Sequence, residues 1–307
     1  MNQRTDRLIC ENVLGITKSI EKRFFKMDLV LWSACVRKYA LPQHIEAAVA
    51  GGFTSLAITP ETFMASIASG LSPEKMLDIA NKNGIAIRYL DTVTGWSPVR
   101  VPLNADDEIR KRFDFTMEEC LDICDRLKLK SILAFPGFDA GAVSVPALIS
   151  GFGELCDRAA ARDIWVDLEF TPLSGLPDLK SAWTIVQESG RKNCGIMLDT
   201  YHFLRGSVDL DLLRTIPSER LVNIQVADAS REMLGATLLE DCMHYRMPPG
   251  EGDLPLVQIL NRVCAKGHLN SIGPEIFSDE MDLLLPAEAG RKAGESTRKL
   301  LQMAGCH

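Results

Sequence analysis

The chain has no apolar run approaching the roughly 18–20 residues that span a bilayer. A membrane is therefore not an expected partner. The first fifteen residues, MNQRTDRLICENVLG, lack the apolar segment and small-residue cleavage site of a secretory signal. Positive charge is in deficit, with 34 Lys and Arg against 41 Asp and Glu, a net charge of −7 and a pI near 5.4. Such a surface repels phosphate backbones, which argues against nucleic acid. No C-x-x-C pair occurs among the nine cysteines. Cys120 and Cys124 lie four apart in a helical pattern and read as packed thiols, which fits a reducing cytoplasm. No G-x-G-x-x-G opens the first helix, which counts against a dinucleotide fold.

What is present is ordinary for a globular protein: 46% hydrophobic and 24% charged residues over 307 positions. That length suits one large domain or two ordinary ones. Residues 1–26 show no clear strand and read as an N-terminal extension. From residue 27 an alternation begins. MDLVLWS, SLAIT, IAIRYLDTV and SILAF are β-favouring runs, and a helical pattern follows each. The long stretch DDEIRKRFDFTMEECLDICDRLK reads as one amphipathic helix. WVDLEF, CGIMLD, LVNIQVAD and SIGPEIF continue the rhythm in the second half. Eight strand–helix units imply a parallel sheet closed as a (β/α)8 TIM barrel over residues 27–307.

In such a barrel the chemistry lies at the C-terminal ends of the strands. Strands five to eight end at Glu169, Asp199, Gln225 and Glu275, at intervals of 30, 26 and 50 residues. The first two intervals are one repeat each, and the third is one repeat plus an inserted loop. Three carboxylates converging in an apolar barrel repel unless a cation neutralises them. Four oxygen donors, one a neutral amide, suit Mn2+ or Mg2+ better than Zn2+. Arg231 and Arg246 flank the long loop after strand seven, where an arginine suits a carboxylate or phosphate. His44, His268 and His307 read as structural or solvated, and His244 as solvated more than functional. Trp96, Phe138 and Phe170 follow strand ends, as plain wall or as stacking surfaces for a ring.

The Glu of VDLEF, LDTYH, NIQVADASR, the PPGEGDLPL loop and PEIFS together resemble the xylose isomerase-like TIM-barrel superfamily, the sugar phosphate isomerases/epimerases. The resemblance covers roughly residues 27–303. For ketose 3-epimerases of this group it implies a metal held by Glu169, Asp199, Glu275 and a seventh-strand His. Here that position is Gln225, as in the family's 3-dehydroshikimate dehydratases, which keeps a metal ligand but departs from the epimerase pattern. The resemblance also implies substrate contacts for His202 and Arg231. It implies a shaped loop over the site, in which Glu251 orients an arginine or a ligand. Relatives are often dimers or tetramers, so a homo-oligomer is implied.

The expected activity is a metal-dependent isomerase or epimerase of a sugar or related polyol, with Glu169 or Glu275 abstracting an α-proton. The alternative is a dehydratase, a lyase acting on a keto-cyclitol or 3-dehydroshikimate-like acid. The superfamily's DNA-repair endonucleases use His-rich zinc sites, and five histidines and an acidic surface argue against that branch. Retention of all the metal-type side chains argues against a binding module without turnover.

Overall fold

The computed structural model describes residues 27–267 and 269–306. The N-terminal extension, His268 and His307 lie outside the described residues. Eight parallel strands close a barrel in chain order. They are β1 (Asp28–Leu31), β2 (Ser55–Ile58), β3 (Ala86–Val93), β4 (Ser131–Ala134), β5 (Trp165–Leu168), β6 (Cys194–Asp199), β7 (Asn223–Val226) and β8 (Ser271–Pro274). Closure is made by β1 and β8, where Asp28 pairs with Ser271 and Leu29 with Ile272. The helices are α1 (Leu41–Gly51), α2 (Pro60–Ala68), α3 (Pro73–Lys82), α4 (Asp107–Phe113), α5 (Met117–Leu127), α6 (Val145–Ala160), α7 (Leu179–Ser189), α8 (Thr200–Arg205), α9 (Leu210–Thr215), α10 (Leu238–His244), α11 (Leu256–Cys264) and α12 (Pro286–Met303). None among the described residues is long and apolar enough to cross a membrane.

Alternation along each strand sends one set of side chains outward to the helices and the other into the barrel. The outward set joins the helices in one continuous apolar core that includes Leu56, Ile132, Val166, Ile196 and Ile224. The inward set forms a layer of Val30, Trp32, Ala57, Tyr89, Leu133 and Met197. Beneath it lies a polar floor. Asp167 there accepts from Ser131 Oγ (2.8 Å), Trp165 Nε1 (2.8 Å) and Asn223 Nδ2 (2.6 Å). Above it lies the mouth, where the strand ends face one another.

The last helix seals the first. A Cβ on Gly290 would lie 2.0 Å from the Ala47 carbonyl oxygen, and one on Gly294 would lie 2.1 Å from that of Gly51. Only glycine lets α12 approach α1 this closely.

The structure departs from the sequence reading in three places. The expected long helix is two, because Thr116 and Glu119 form a capping box that starts α5 afresh. Helices α2 and α10 occupy segments read as loop; each begins with a threonine cap, Thr59 and Thr237. Cys120 and Cys124 are buried free thiols as expected, but Cys264 and Cys306 are joined as a disulfide, with Cα atoms 5.6 Å apart.

Candidate active site

Parallel pairing puts the site together. Asp199 is the register partner of Gln225, and Gln225 of Gly273, so side chains at these levels project the same way. Glu275, two residues past Gly273, shares that direction. Glu169, Asp199, Gln225 and Glu275 are all buried at the mouth, each 5% exposed or less. Asp199 also starts α8, its Oδ1 accepting from the backbone N–H groups of Tyr201 (2.7 Å) and His202 (3.3 Å). That cap fixes the carboxylate and leaves Oδ2 for the site.

Oδ2 accepts from Arg246 Nη1 at 2.8 Å. Arg246 is 1% exposed, so the sequence-predicted loop arginine is a buried cation inside the ring of carboxylates. Its Nη1 also reaches Glu275 Oε2 (3.4 Å), and its Nη2 donates to His202 Nε2 (3.2 Å) and to Cys242 Sγ (3.1 Å). The guanidinium lies 4.3 Å from the Tyr201 ring centroid. Tyr201 is held in turn by its hydroxyl, which donates to Asp241 (2.6 Å). Asp241 also accepts from the backbone N–H of Leu234 and from Arg205, and so ties the excursion after β7 to α8.

The charges follow from these contacts. Burial works against the Asp199 carboxylate, but the Arg246 guanidinium, together with its neighbours His202 and Glu275, outweighs it and holds the group down at about 2. Burial pushes Glu169 and Glu275 well above the usual carboxylate range, and the neighbouring carboxylates push them further. Burial also pushes the His202 imidazole down to about 4. Its Nε2 stands 3.6 Å from Asp199 and 3.8 Å from Glu169, yet a neutral ring makes neither contact an ion pair at pH 7. The tautomer that fits accepts at Nε2 from Arg246 and places its proton on Nδ1, 3.2 Å from Thr171 Oγ1.

A divalent cation fits this donor set. Oxygen or nitrogen atoms of Glu169, Asp199 and His202 lie within 4.8 Å of one another. Gln225 donates through Nε2 to Glu275 Oε1 (2.9 Å), while its own Oε1 is buried with no hydrogen-bond partner. A buried amide oxygen without a donor is costly, and a cation supplies what it lacks.

Other expected contacts lie elsewhere. Glu251 is exposed and its Oε2 lies 3.1 Å from Lys292 Nζ on α12. Arg231 is exposed, and its backbone N–H donates to Asp253. The PPGEGD loop is anchored by Asp228, which accepts from the N–H groups of Ala229, Gly250 and Leu254. Gly250 there has φ +83°, and a Cβ on Gly252 would lie 2.4 Å from the Ala229 carbonyl oxygen, so both positions need glycine. His244 pairs with Asp279 at 2.9 Å at the rim. His44 is buried in α1. Trp96, Phe138 and Phe170 are core: Trp96 packs edge-on against Phe138, and Phe170 against Phe203.

The sequence reading missed Asp91. It sits near the end of β3, 8% exposed, accepts from Ser33 Oγ (2.9 Å), and is close enough to raise Glu169 and Glu275. Its signal was an acid inside the apolar run RYLDTV.

A family profile described as xylose isomerase-like TIM barrel matches residues 45–302. Among curated proteins, the chain is 26% identical over 241 residues to a 3-dehydroshikimate dehydratase of Pseudomonas aeruginosa, covering 78% of this chain and 36% of that one. The chain thus spans little more than a third of that relative. It is 22% identical over 200 residues to an inosose isomerase of Bacillus subtilis, covering 63% of this chain and 70% of that one. Among solved structures, the IOLI protein with a bound zinc atom superposes with a TM-score of 0.77 at 19% identity, covering 90% of this chain and 98% of that one.

Proposed function

Because the chain belongs to the xylose isomerase-like TIM-barrel family, we propose that it is a divalent-metal-dependent enzyme that removes the proton α to the carbonyl of a small polyhydroxylated ketone. The observation that carries this reading is the unpartnered Gln225 Oε1 among three buried strand-end carboxylates. Glu169, Asp199, Gln225 and Glu275 would hold the ion, with Mn2+ or Mg2+ favoured by the oxygen donors. Such an ion supplies Lewis-acid stabilisation of the negative charge that grows on the ketone oxygen.

The chain's own residues do the rest. Both oxygens of Glu275 are engaged, by Gln225 and by Arg246, whereas Glu169 has no hydrogen bond among the described residues. Glu169 is therefore the freer base, and Glu275 the better-held partner that receives or returns a proton. Arg246 keeps a positive charge beside the developing oxyanion and fixes His202 through Nε2. His202, neutral, presents a hydrogen-bonding edge rather than a charge.

Isomerisation or epimerisation is the first outcome, since two glutamates with raised pKa lie at one barrel mouth and each can carry a proton. Loss of water from a keto-cyclitol or 3-dehydroshikimate-like acid is the second reading. The neutral Gln225 in the donor set and the likeness to the dehydratases support it. Proton NMR in D2O on Mn2+-loaded protein, with keto-sugars, inosose and 3-dehydroshikimate, separates the outcomes. Deuterium at the α or recipient carbon marks isomerisation, and a new conjugated alkene marks dehydration. Turnover with full retention of the original hydrogen and no alkene would refute α-proton abstraction. The same reading makes the protein a cytoplasmic homo-oligomer. Its support is six buried free thiols, beside one disulfide, among the described residues, and exposed Leu103, Leu234, Leu283 and Leu285 on the loops at the mouth end.

A further inference from the structure

We propose that Arg112 binds a carboxylate on the substrate, so that the molecule turned over is an acidic hydroxy-ketone rather than a neutral polyol ketone. The proposal rests on the α-proton chemistry above and adds the substrate class to it.

Arg112 comes from α4, the excursion that follows β3. Two contacts fix where this excursion leaves and returns: Thr94 Oγ1 donates to the Phe113 carbonyl, and Gly95 bridges to Thr116. Across the mouth, the Arg112 guanidinium carbon lies 5.1 Å from the centroid of the Phe277 ring. Phe277 stands two residues past Glu275 and also carries the Arg246 guanidinium at 5.1 Å. Arg112, Arg246 and Arg37 thus all lie near one aromatic ring at the barrel mouth.

Their hydrogen-bonding states differ. Arg246 spends its donors on Asp199, Glu275, Cys242 and His202. Arg37, against the same ring, spends its own on Asp282, Asp279 and the Met243 carbonyl. Arg112 is half-buried and has no hydrogen bond or ion pair among the described residues. The nearby acid, Asp91, accepts from Ser33 and feels the Arg112 charge across space, but no hydrogen bond or ion pair joins the two. A guanidinium packed against an aromatic ring keeps its planar edge of N–H donors free. That edge matches the two oxygens of a carboxylate.

The test uses Mn2+-loaded protein and two probes, 3-dehydroshikimate as the acid and inosose as the neutral ketone, with calorimetric titration as the readout. The wild type should prefer the acid. Arg112→Gln should lower the acid-to-neutral affinity ratio by at least about 10-fold, the scale of a charged hydrogen bond. Arg112→Lys should restore part of it. The methyl ester of 3-dehydroshikimate should lose a similar factor on unaltered protein, which removes any question of misfolding in the variants. A ratio unchanged in R112Q, an ester that binds as well as the acid, or a wild type without preference for the acid would overturn the proposal. Absence of both α-hydrogen exchange and a new alkene with either probe would instead refute the proposed reaction and leave the binding result standing.

Discussion

Replacing Arg246 by Gln removes the buried cation that lies against Asp199 at 2.8 Å and Glu275 at 3.4 Å. Removing one partner of a buried ion pair costs about 3–5 kcal/mol, because the other charge is left uncompensated. Unfolding entropy of about 2.1 cal/mol/K per residue gives a chain of this size roughly 1.5 °C of Tm per kcal/mol. In EDTA the variant should therefore melt about 5–8 °C below the wild type. Mn2+ at about 100 times its Kd should stabilise the wild type by about 2.7 kcal/mol, or about 4 °C. In R246Q the ion no longer displaces a guanidinium from two of its ligands. Its affinity should rise at least about 10-fold, adding roughly 2 °C to the shift at the same free Mn2+. Differential scanning calorimetry with and without EDTA reads both quantities. A variant that melts with the wild type in EDTA, or gains no more from Mn2+, would refute the internal-cation reasoning.

Glu275→Gln and Glu169→Gln should each lower kcat by at least about 100-fold while the circular dichroism spectrum persists, since an amide ligates but accepts no proton. Near-normal turnover in either variant would remove that residue from the proton path. The hydrogen α to the substrate carbonyl should exchange with D2O during isomerase or epimerase turnover; its full retention in product, with no alkene formed, would refute α-proton abstraction. Burial raises the Asp167 carboxyl in the barrel floor to about 6. Its folded pKa exceeds the unfolded value, so its stabilising contribution is full below about pH 3.8 and is lost as pH rises through about 6. Asp167→Asn should accordingly gain about 2.4 kcal/mol relative to the wild type between pH 4 and pH 7, at about 1.4 kcal/mol per pKa unit. Parallel stability curves for the two proteins would contradict it.

The barrel was legible because its signals are local and repeated. Runs such as SILA and GIMLD can only be buried strands, and helix starts such as Ser72-Pro73 carry their own caps. The strand-end acids were legible because a parallel barrel fixes where those residues must point. What escaped depends on contacts between distant segments. The break before α5 was encoded in Thr116 and Glu119, but the amphipathic pattern runs straight through it. Arg246 reads as a loop cation; its burial is set by Tyr201, held by Asp241 of the preceding helix, and by Phe277, which the chain brings in from two other segments. Glu251 follows the left-handed Gly250, and the turn carries it to Lys292.

The seam between α1 and α12, together with the pairing of β1 with β8, has a consequence for the order in which the protein can be made. Strand β1 emerges from the ribosome early, and β8 and α12 come last. At roughly 5–20 residues per second, β1 waits about 10–50 s for the strand that covers its open edge. During that interval the growing sheet offers unpaired N–H and C=O groups, along which nascent chains can join edge to edge. The glycines at 290 and 294 then admit α12 against α1 without rearrangement of a helix already packed. A ribosome stalled before residue 286 would leave that groove on α1 uncovered, and a chaperone that shields one open edge and one small-residue groove would meet the need.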